Sequence, residues 1–343
     1  MEFIDYVQNA FLGHKIISII GLAKNVSKTT TLNHIINQLP LNCKIGLTSI
    51  GRDGEKYDVI SDFPKPRIKI RKGTIVATAL ESIKNSEIQT KELIDTKIST
   101  PMGNVLIVEA ENEGFIELAG PSNNTGLHQV CNQLLNLKCD FVLIDGAFDR
   151  RSFASPLVSD ATILSTGASV SKNMDKVIDI TTHTIELLSI VAEKDPKIRT
   201  LLKNLLNNDK VGFIFEDYST KNLDLTTALT SGRKIGKLLT NQVQYVVING
   251  AITDRFLEDI MKSTEKYKGV TFVVENATKL FLSASIFNKF LKKGGNIKVL
   301  DQIKIIAVTI NPTSPYGYNF DKKLFFKALQ DKITIPIFDL GLN

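Results

Sequence analysis

The residues with the most distinctive chemistry lie near the amino terminus, between Gly21 and Thr30. The apolar run KIISII leads into Gly21, and after five further residues the sequence continues as Ser27-Lys28-Thr29. Apolar residues then recur with the i, i+3, i+4, i+7 spacing of one helix face, at Leu32, Ile35, Ile36 and Leu39. A buried strand, a glycine-led loop and Lys-Thr at a helix start together predict a phosphate-binding loop.

Such a loop binds a nucleotide mainly through its backbone, because N–H groups and the positive end of the following helix face the phosphate oxygens. Lys28 would reach the β- and γ-phosphates as a catalytic residue, and the Thr29 hydroxyl would hold Mg²⁺. We expect ATP rather than GTP, because the strand ends at Asn249 and Asn311 lack the guanine-specific motif NKxD. The predicted nucleotide-binding residues are Gly21, Asn25, Val26, Ser27, Lys28, Thr29 and Thr30.

The loop departs from the common P-loop spacing GxxxxGK[ST] in two ways. It contains one extra residue, and Ser27 stands where the second glycine is expected. If the backbone there requires a positive φ, serine costs about 1 kcal/mol or more relative to glycine. Two interpretations follow: a nucleotide site that accommodates serine, or a relic loop that binds weakly.

A phosphate loop that works with Mg²⁺ needs an acidic side chain at a neighbouring strand end. The run FVLID supplies one in Asp145, which resembles the acid of a Walker B strand. We predict that Asp145 belongs to the metal shell and takes part in catalysis. The alternative is an aspartate that only caps the following turn.

Two other carboxylates follow apolar runs. Glu109 ends NVLIVE and is a candidate general base or second metal-shell acid, while Asp53 follows LTSIG and is a candidate metal ligand near the γ-phosphate or an acceptor. Both predictions assume that ligands collect at the carboxyl ends of strands in a doubly wound sheet. The alternative for each is a solvated surface carboxylate.

The rest of the chain alternates short Val/Ile/Leu runs with helical patterns, which is typical of βαβ units. We therefore predict an α/β protein with a doubly wound, mainly parallel sheet of the P-loop NTPase type and a second α/β half. Residues 1–195 would form the nucleotide-binding domain. Residues 196–343 would form a carboxyl-terminal α/β domain or continue the same sheet.

Composition argues against several other classes of function. The 343 residues carry a net charge of +6, but the basic residues are dispersed and no nucleic-acid-binding module is recognisable. The three cysteines form no CxxC pair and the four histidines are scattered, so we expect reduced thiols, no zinc site and a cytoplasmic protein. We expect no signal peptide, because the first residues lack a basic region followed by an apolar run, and no membrane span, because no apolar run approaches roughly 18 residues.

Four stretches together resemble one small family: GLAKNVSKTT, LTSIGRDGE, LIDGAFDRRSFASP and NPTSPYG. They are similar to the P-loop subunit of the reactivating factor of lysine 5,6-aminomutase, an enzyme of lysine fermentation that uses adenosylcobalamin and pyridoxal phosphate. The resemblance implies an ATP- and Mg²⁺-dependent ATPase that opens the aminomutase and releases damaged cobalamin. It also implies a second subunit that resembles a mismatch-repair-type ATPase. In that family, glycine stands at the position of Ser27.

Two alternatives remain open from the sequence. The five-residue loop spacing and the strand-end Asp-Gly also resemble dethiobiotin synthetase, which implies an ATP-dependent ligase or kinase whose acceptor would be held by Arg52, Asp53 and Glu109. The other alternative is a non-catalytic scaffold with a degenerate loop, which Ser27 favours. Neither nucleic acid nor a membrane is expected as a partner.

Overall fold

The computed structural model describes residues 6, 13–51, 57–58, 61–64, 67–146, 155–156, 158–207, 211–223, 225 and 231–340. The described residues group into two compact units. One combines those within Met1–Thr182 and Lys304–Asn343, and the other comprises those within His183–Ile303.

The strands of the described residues are, in chain order, β1 (Ile16–Gly21), β2 (Ile45–Ser49), β3 (Tyr57–Asp58), β4 (Ser61–Pro64), β5 (Ile68–Ile70), β6 (Ile75–Ala79), β7 (Thr90–Thr100), β8 (Gly103–Ala110), β9 (Gly114–Ile116), β10 (Phe141–Asp145), β11 (Ala161–Gly167), β12 (Val211–Phe215), β13 (Thr220–Leu223), β14 (Val243–Ile248), β15 (Ile252–Thr253), β16 (Thr271–Val274), β17 (Leu280–Phe281), β18 (Asn296–Val299), β19 (Ile305–Asn311) and β20 (Ile337–Asp339).

The α-helices of the same residues are α1 (Lys28–Gln38), α2 (Leu80–Lys84), α3 (Asn124–Asn136), α4 (Met174–Leu188), α5 (Pro196–Leu206), α6 (Gly232–Leu238), α7 (Asp254–Ser263), α8 (Ala284–Lys292) and α9 (Lys322–Gln330). Short 3₁₀ turns occur at Ala168–Val170, Lys266–Gly269 and Ala277–Lys279. Within the described ranges, none of the helices has the length and apolar character needed to cross a membrane.

The first unit is built around a large mixed sheet with the order β20-β19-β11-β1-β10-β2-β6-β8-β7 among the described strands. All neighbouring pairs from β20 to β6 are parallel, whereas β8 runs antiparallel to both β6 and β7. The α/β class and the largely parallel sheet are thereby confirmed. The strand β1 lies in the middle of this sheet, which is why its residues are all buried.

Apolar side chains cover the central strands on both faces. Alternate residues of a strand point to opposite sides, so each face builds its own core. The core on one face contains Ile17, Ile19, Leu32, Ile35 and Ile36 and so includes α1. The core on the other face contains Ile16, Ile144, Leu127, Val130 and Leu134 and so includes α3. The helical periodicity that predicted α1 is therefore the pattern that buries it.

The second unit has a smaller sheet with the order β13-β12-β14-β16-β18. Its strand β12 pairs antiparallel with β13 and β14, whereas β14, β16 and β18 are parallel. Helix α5 begins at Pro196, where Asp195 caps the helix by accepting hydrogen bonds from the N–H groups of Lys197 and Ile198. This proline therefore starts a helix, consistent with its fixed φ and missing N–H.

The division of the chain differs from the single boundary predicted near residue 195. The second unit ends at Ile303, and the chain then returns to the first unit. Strand β19 pairs with β11 and β20 pairs with β19, so the last segment extends the large sheet. One part of 196–343 thus belongs to a separate unit, while another part continues the sheet that contains the predicted phosphate loop.

Candidate functional site

The predicted phosphate loop follows the central strand of the large sheet. Gly21 is the last residue of β1, and α1 begins at Lys28. The strands β10 and β11 flank β1 on either side. The N–H of Leu22, the first loop residue, donates to the Ser165 carbonyl of β11 at 3.0 Å. The strand, loop and helix therefore stand in the order that a P-loop requires, at the carboxyl edge of the parallel strands.

Gly21 lies where the chain leaves no room for a side chain. A Cβ added there would lie 2.6 Å from Val26 Cγ2 and 2.9 Å from both Cγ and Cδ of Lys28. The stem of Lys28 therefore passes directly over Gly21, and its Nζ donates to the Ala23 carbonyl at 3.5 Å. This path keeps the lysine above the loop, close to where phosphate groups would lie.

Replacing Gly21 with alanine is expected to displace the lysine. Val26 is 1% exposed and has no space to retreat, so the new methyl group must push the Lys28 stem away. We expect ATP affinity to fall about tenfold, together with a loss of about 1–3 kcal/mol in the free energy of unfolding from overpacking. Fluorescence titration with a labelled ATP and urea unfolding measure the two effects, and unchanged affinity in Gly21→Ala would contradict this path for Lys28.

Ser27 adopts the left-handed backbone conformation that favours glycine. Its φ is 69° and its ψ is 29°, and Asn25 in the same loop has a φ of 58°. The condition under which serine costs stability is therefore met, and the cost is about 1–2 kcal/mol. The Ser27 carbonyl accepts hydrogen bonds from the N–H of Thr31 at 2.9 Å and from its hydroxyl at 3.0 Å. The Ser27 hydroxyl accepts one from Nδ2 of Asn311 at 2.7 Å.

The first turn of α1 is free of the side chains that usually neutralise a helix start. Ser27 occupies the N-cap position but makes no side-chain capping bond, and no acidic residue lies in the first turn. The first N–H groups of a helix lack partners within the helix and carry the positive end of its dipole. The amino-terminal end of α1 is therefore suited to binding an anion.

Asp145 lies at the same edge of the sheet as the loop. It is the last residue of β10 and stands beside Ile19 of β1 in the parallel register. Its Oδ1 is buried and accepts no hydrogen bond from any described residue. Burial raises the pKa of this carboxyl to about 6, although the positive charge of Lys28 acts to lower it. A buried carboxylate oxygen without a partner, close to a lysine, is suited to binding a cation.

The glycine after Asp145 allows the two strands to stay close. The Gly146 N–H donates to the Ile19 carbonyl at 2.9 Å, and a Cβ at Gly146 would lie 2.7 Å from that same oxygen. The Asp-Gly pair noticed in the sequence therefore has a steric reason. The close contact between Gly146 and Ile19 keeps Asp145 beside the end of β1.

Glu109 does not join the loop and Asp145. It lies in β8, opposite Ile75 at the start of β6. Ile75 pairs with Gly46 of β2, and Gly46 pairs with Val142 near the start of β10. Ile75 therefore lies at the amino-terminal edge of the parallel strands. Because β8 runs antiparallel to β6, its carboxyl end lies at the edge of the sheet opposite the phosphate loop. The expectation for Glu109 assumed a parallel strand, and the structure does not bring this residue to the site.

The structure does not test the expectation for Asp53, because Asp53 and its neighbour Arg52 lie outside the described residues. Clusters of three or more His, Cys, Asp or Glu side chains able to hold a metal ion are absent from the described part of the chain. Mg²⁺ does not require such a cluster, since it is commonly bound by one or two protein oxygens together with phosphate and water. Thr29 and Asp145 are the described residues that fit this role.

Two further loops reach the phosphate loop from neighbouring strands. The Ser169 hydroxyl, just after β11, donates to the Asn25 carbonyl at 3.0 Å. Asn311 ends β19 and contacts Ser27, while the Tyr318 hydroxyl beyond it donates to the Ala168 carbonyl at 2.9 Å. No pattern in the sequence indicated that these loops meet, because Ser27 and Asn311 lie far apart along the chain.

No protein-family model matches the sequence, and neither a curated protein nor a solved structure matches it significantly.

Proposed function

We propose that this chain binds ATP with Mg²⁺ at the loop from Gly21 to Thr30 and hydrolyses it. The observation that carries the proposal is the placement of Asp145. Its buried Oδ1 has no partner among the described residues, and it lies beside the loop, close enough for the charge of Lys28 to affect its pKa. A buried carboxylate oxygen without a hydrogen-bond partner costs stability, and a cation bound at Oδ1 would offset that cost.

Each residue has a distinct role in this proposal. The N–H groups at the start of α1 bind phosphate oxygens, and Lys28 offsets the negative charge that gathers on the transferred phosphoryl group. Thr29 and Asp145 would hold Mg²⁺, and the bound ion would neutralise charge on the phosphates. The Ser169 hydroxyl donates to the loop backbone at Asn25, and the Asn311 side chain donates to the hydroxyl of Ser27.

Phosphate release from ATP tests whether binding leads to turnover. We expect slow release that requires Mg²⁺ and disappears when the metal is chelated. GTP and ADP serve as competitors of a labelled ATP to establish the base and phosphate preference. Failure of labelled ATP to bind at millimolar concentration, with or without Mg²⁺, would contradict the proposed function.

We further propose, on the strength of the sequence resemblance, that hydrolysis drives reactivation of lysine 5,6-aminomutase together with a second subunit. ATP and ADP states that differ in affinity for the client would open the aminomutase and let damaged cobalamin leave. The test is release of a bound inactive corrinoid from the aminomutase, measured in a filtrate. We expect release only when the chain, its partner subunit, ATP and Mg²⁺ are all present.

Other outcomes would favour the other functions that the sequence left open. ATP turnover that appears only with a small acceptor would favour a ligase or kinase. A folded chain that binds no nucleotide would favour a scaffold with a degenerate loop. Corrinoid release without ATP would contradict an ATP-driven reactivating factor.

A further inference from the structure

We propose that Asn311 is a positioning residue that holds the serine-containing phosphate loop open for nucleotide. The inference rests on the proposed function for its ligand, but its structural part concerns the conformation of Ser27 alone. Ser27 replaces the glycine expected in such a loop, and Asn311 contacts its hydroxyl directly. We infer that the two residues work as a coupled pair.

Serine at the start of a helix has a strong alternative conformation. At an N-cap position, serine prefers the β region of the backbone, where its Oγ accepts a hydrogen bond from the second or third N–H of the helix. In α1 those donors belong to Thr29 and Thr30. The capped conformation would therefore relieve the positive φ of Ser27 and occupy one of the backbone N–H groups, that of Thr29 or Thr30, that would otherwise bind phosphate. Glycine at this position has no side chain with which to close the site.

The structure has Ser27 in the open conformation instead. Its φ of 69° directs the backbone away from the capped arrangement, and its hydroxyl makes no capping bond. Asn311 Nδ2 lies 2.7 Å from Ser27 Oγ. The orientation of the Asn311 amide is determined by its other end, because Oδ1 accepts a hydrogen bond from the N–H of Thr313 at 2.9 Å. Nδ2 is therefore the atom that faces Ser27, and it can only donate.

Asn311 is held by the sheet rather than by a loose loop. It is the last residue of β19, is 7% exposed and stands beside Gly167 of β11. A Cβ at Gly167 would lie 2.2 Å from the Asn311 carbonyl oxygen, so the two strand ends are in close contact. The sheet therefore fixes the position from which the Asn311 side-chain amide contacts Ser27.

A buried chain of hydroxyls connects the same elements one step deeper. The Thr31 and Thr309 hydroxyls lie 3.0 Å apart, and those of Thr309 and Ser165 lie 2.8 Å apart. Thr31 also donates to the Ser27 carbonyl. These bonds hold helix α1 in position relative to β19 and β11. The Ser27 hydroxyl can then either accept a hydrogen bond from Asn311 or cap its own helix, but not both.

A double-mutant cycle for ATP affinity tests the coupling. The four proteins are the wild type, Asn311→Ala, Ser27→Gly and the double variant. We expect Asn311→Ala to weaken ATP binding by roughly three- to tenfold, as for loss of one hydrogen bond that holds the loop. Ser27→Gly should bind at least as tightly as the wild type, and adding Asn311→Ala to it should change affinity by less than about twofold. An equal loss in both backgrounds would overturn the inference, because it would show that Asn311 acts only through its own loop.

Amide hydrogen exchange in the protein without nucleotide tests the same pair independently of ATP. In Asn311→Ala, Ser27 should cap the helix and slow exchange at Thr29 or Thr30 by roughly two- to tenfold. The slowing should be absent when Ser27→Gly is combined with Asn311→Ala. Unchanged exchange in Asn311→Ala would overturn the inference even if ATP binds. If the predicted exchange pattern appears but ATP does not bind, the coupling stands and the proposed function fails. Thermal unfolding of all four proteins confirms that each is folded.

Discussion

Lys28→Ala is expected to weaken ATP binding by about ten- to a hundredfold while the protein keeps its fold. A charge-assisted hydrogen bond from lysine to phosphate contributes on the order of 1.5–3 kcal/mol, and that energy is lost with the side chain. Alanine at the start of α1 is compatible with the helix, because it has the highest helix propensity. Titration calorimetry with ATP and Mg²⁺ measures the affinity, and circular dichroism checks the fold.

Lys15→Ala is the matched control for that experiment. Lys15 directly precedes the same strand at its opposite end, where its Nζ donates to the Asp140 carbonyl at 3.2 Å. It carries the same charge but lies at the amino edge of the sheet. We expect its affinity for ATP to equal that of the wild type. If both alanine variants bound ATP as the wild type does, Lys28 would not be a phosphate ligand and the loop assignment would fail.

Asp145→Asn is expected to change function and stability in opposite directions. The variant should lose most of the Mg²⁺ dependence of ATP binding, because a neutral amide is a far weaker ligand for a hard cation. In the absence of nucleotide, the same change should stabilise the protein at neutral pH. Burial raises the pKa of Asp145 from its ordinary value of 3.8 to about 6, so the fold penalises the charged form.

The sign of the pH dependence follows from that shift. The folded chain binds the Asp145 proton more tightly than the unfolded chain does, so ionisation between pH 3.8 and about 6 lowers the free energy of unfolding. Above that range the penalty is complete, and Asp145→Asn should remove it, a gain on the order of 3 kcal/mol. Below the ordinary pKa the carboxyl is neutral in both states, and the advantage of the variant should vanish. Urea unfolding at a series of pH values measures this difference.

Asp331→Asn provides the control for the substitution itself. Asp331 is exposed at the end of α9, so the same chemical change there should alter stability by less than about 0.5 kcal/mol.

The wild type should also lose Mg²⁺-dependent ATP affinity as the pH falls below about 6, whereas Asp145→Asn should not show that component. The phosphate of the nucleotide titrates in a similar range, and the variant corrects for it. A wild type and an Asp145→Asn protein with the same pH profile would contradict a metal-binding role.

Local patterns in the sequence were sufficient to predict the strand β1, the loop after it and the helix α1, which begins at Lys28. The apolar run before Gly21 and the helical spacing after it depend only on neighbouring residues, and burial follows from both. The α/β class and the largely parallel sheet were predictable for the same reason, since many short apolar runs alternate with helical patterns. Asp145 was identifiable because an acid directly after an apolar run marks a strand end.

Strand direction and long-range pairing were not predictable in this way. Glu109 also ends an apolar run, but β8 runs antiparallel and places it at the far edge of the sheet. Nothing local distinguishes the two cases, because direction is decided by the connection between strands. The return of β19 to the first unit likewise depends on pairing with β11 across the chain. The contact between Asn311 and Ser27 follows from that pairing and could not be predicted from the sequence.

Titration calorimetry of the wild-type protein with ATP, with and without Mg²⁺, tests the central claim most directly. We predict saturable binding of ATP that is markedly strengthened by Mg²⁺, because Asp145 and Thr29 would then share the metal with the phosphates. Absence of detectable heat at millimolar ATP in both conditions, from a protein that circular dichroism shows to be folded, would contradict the account.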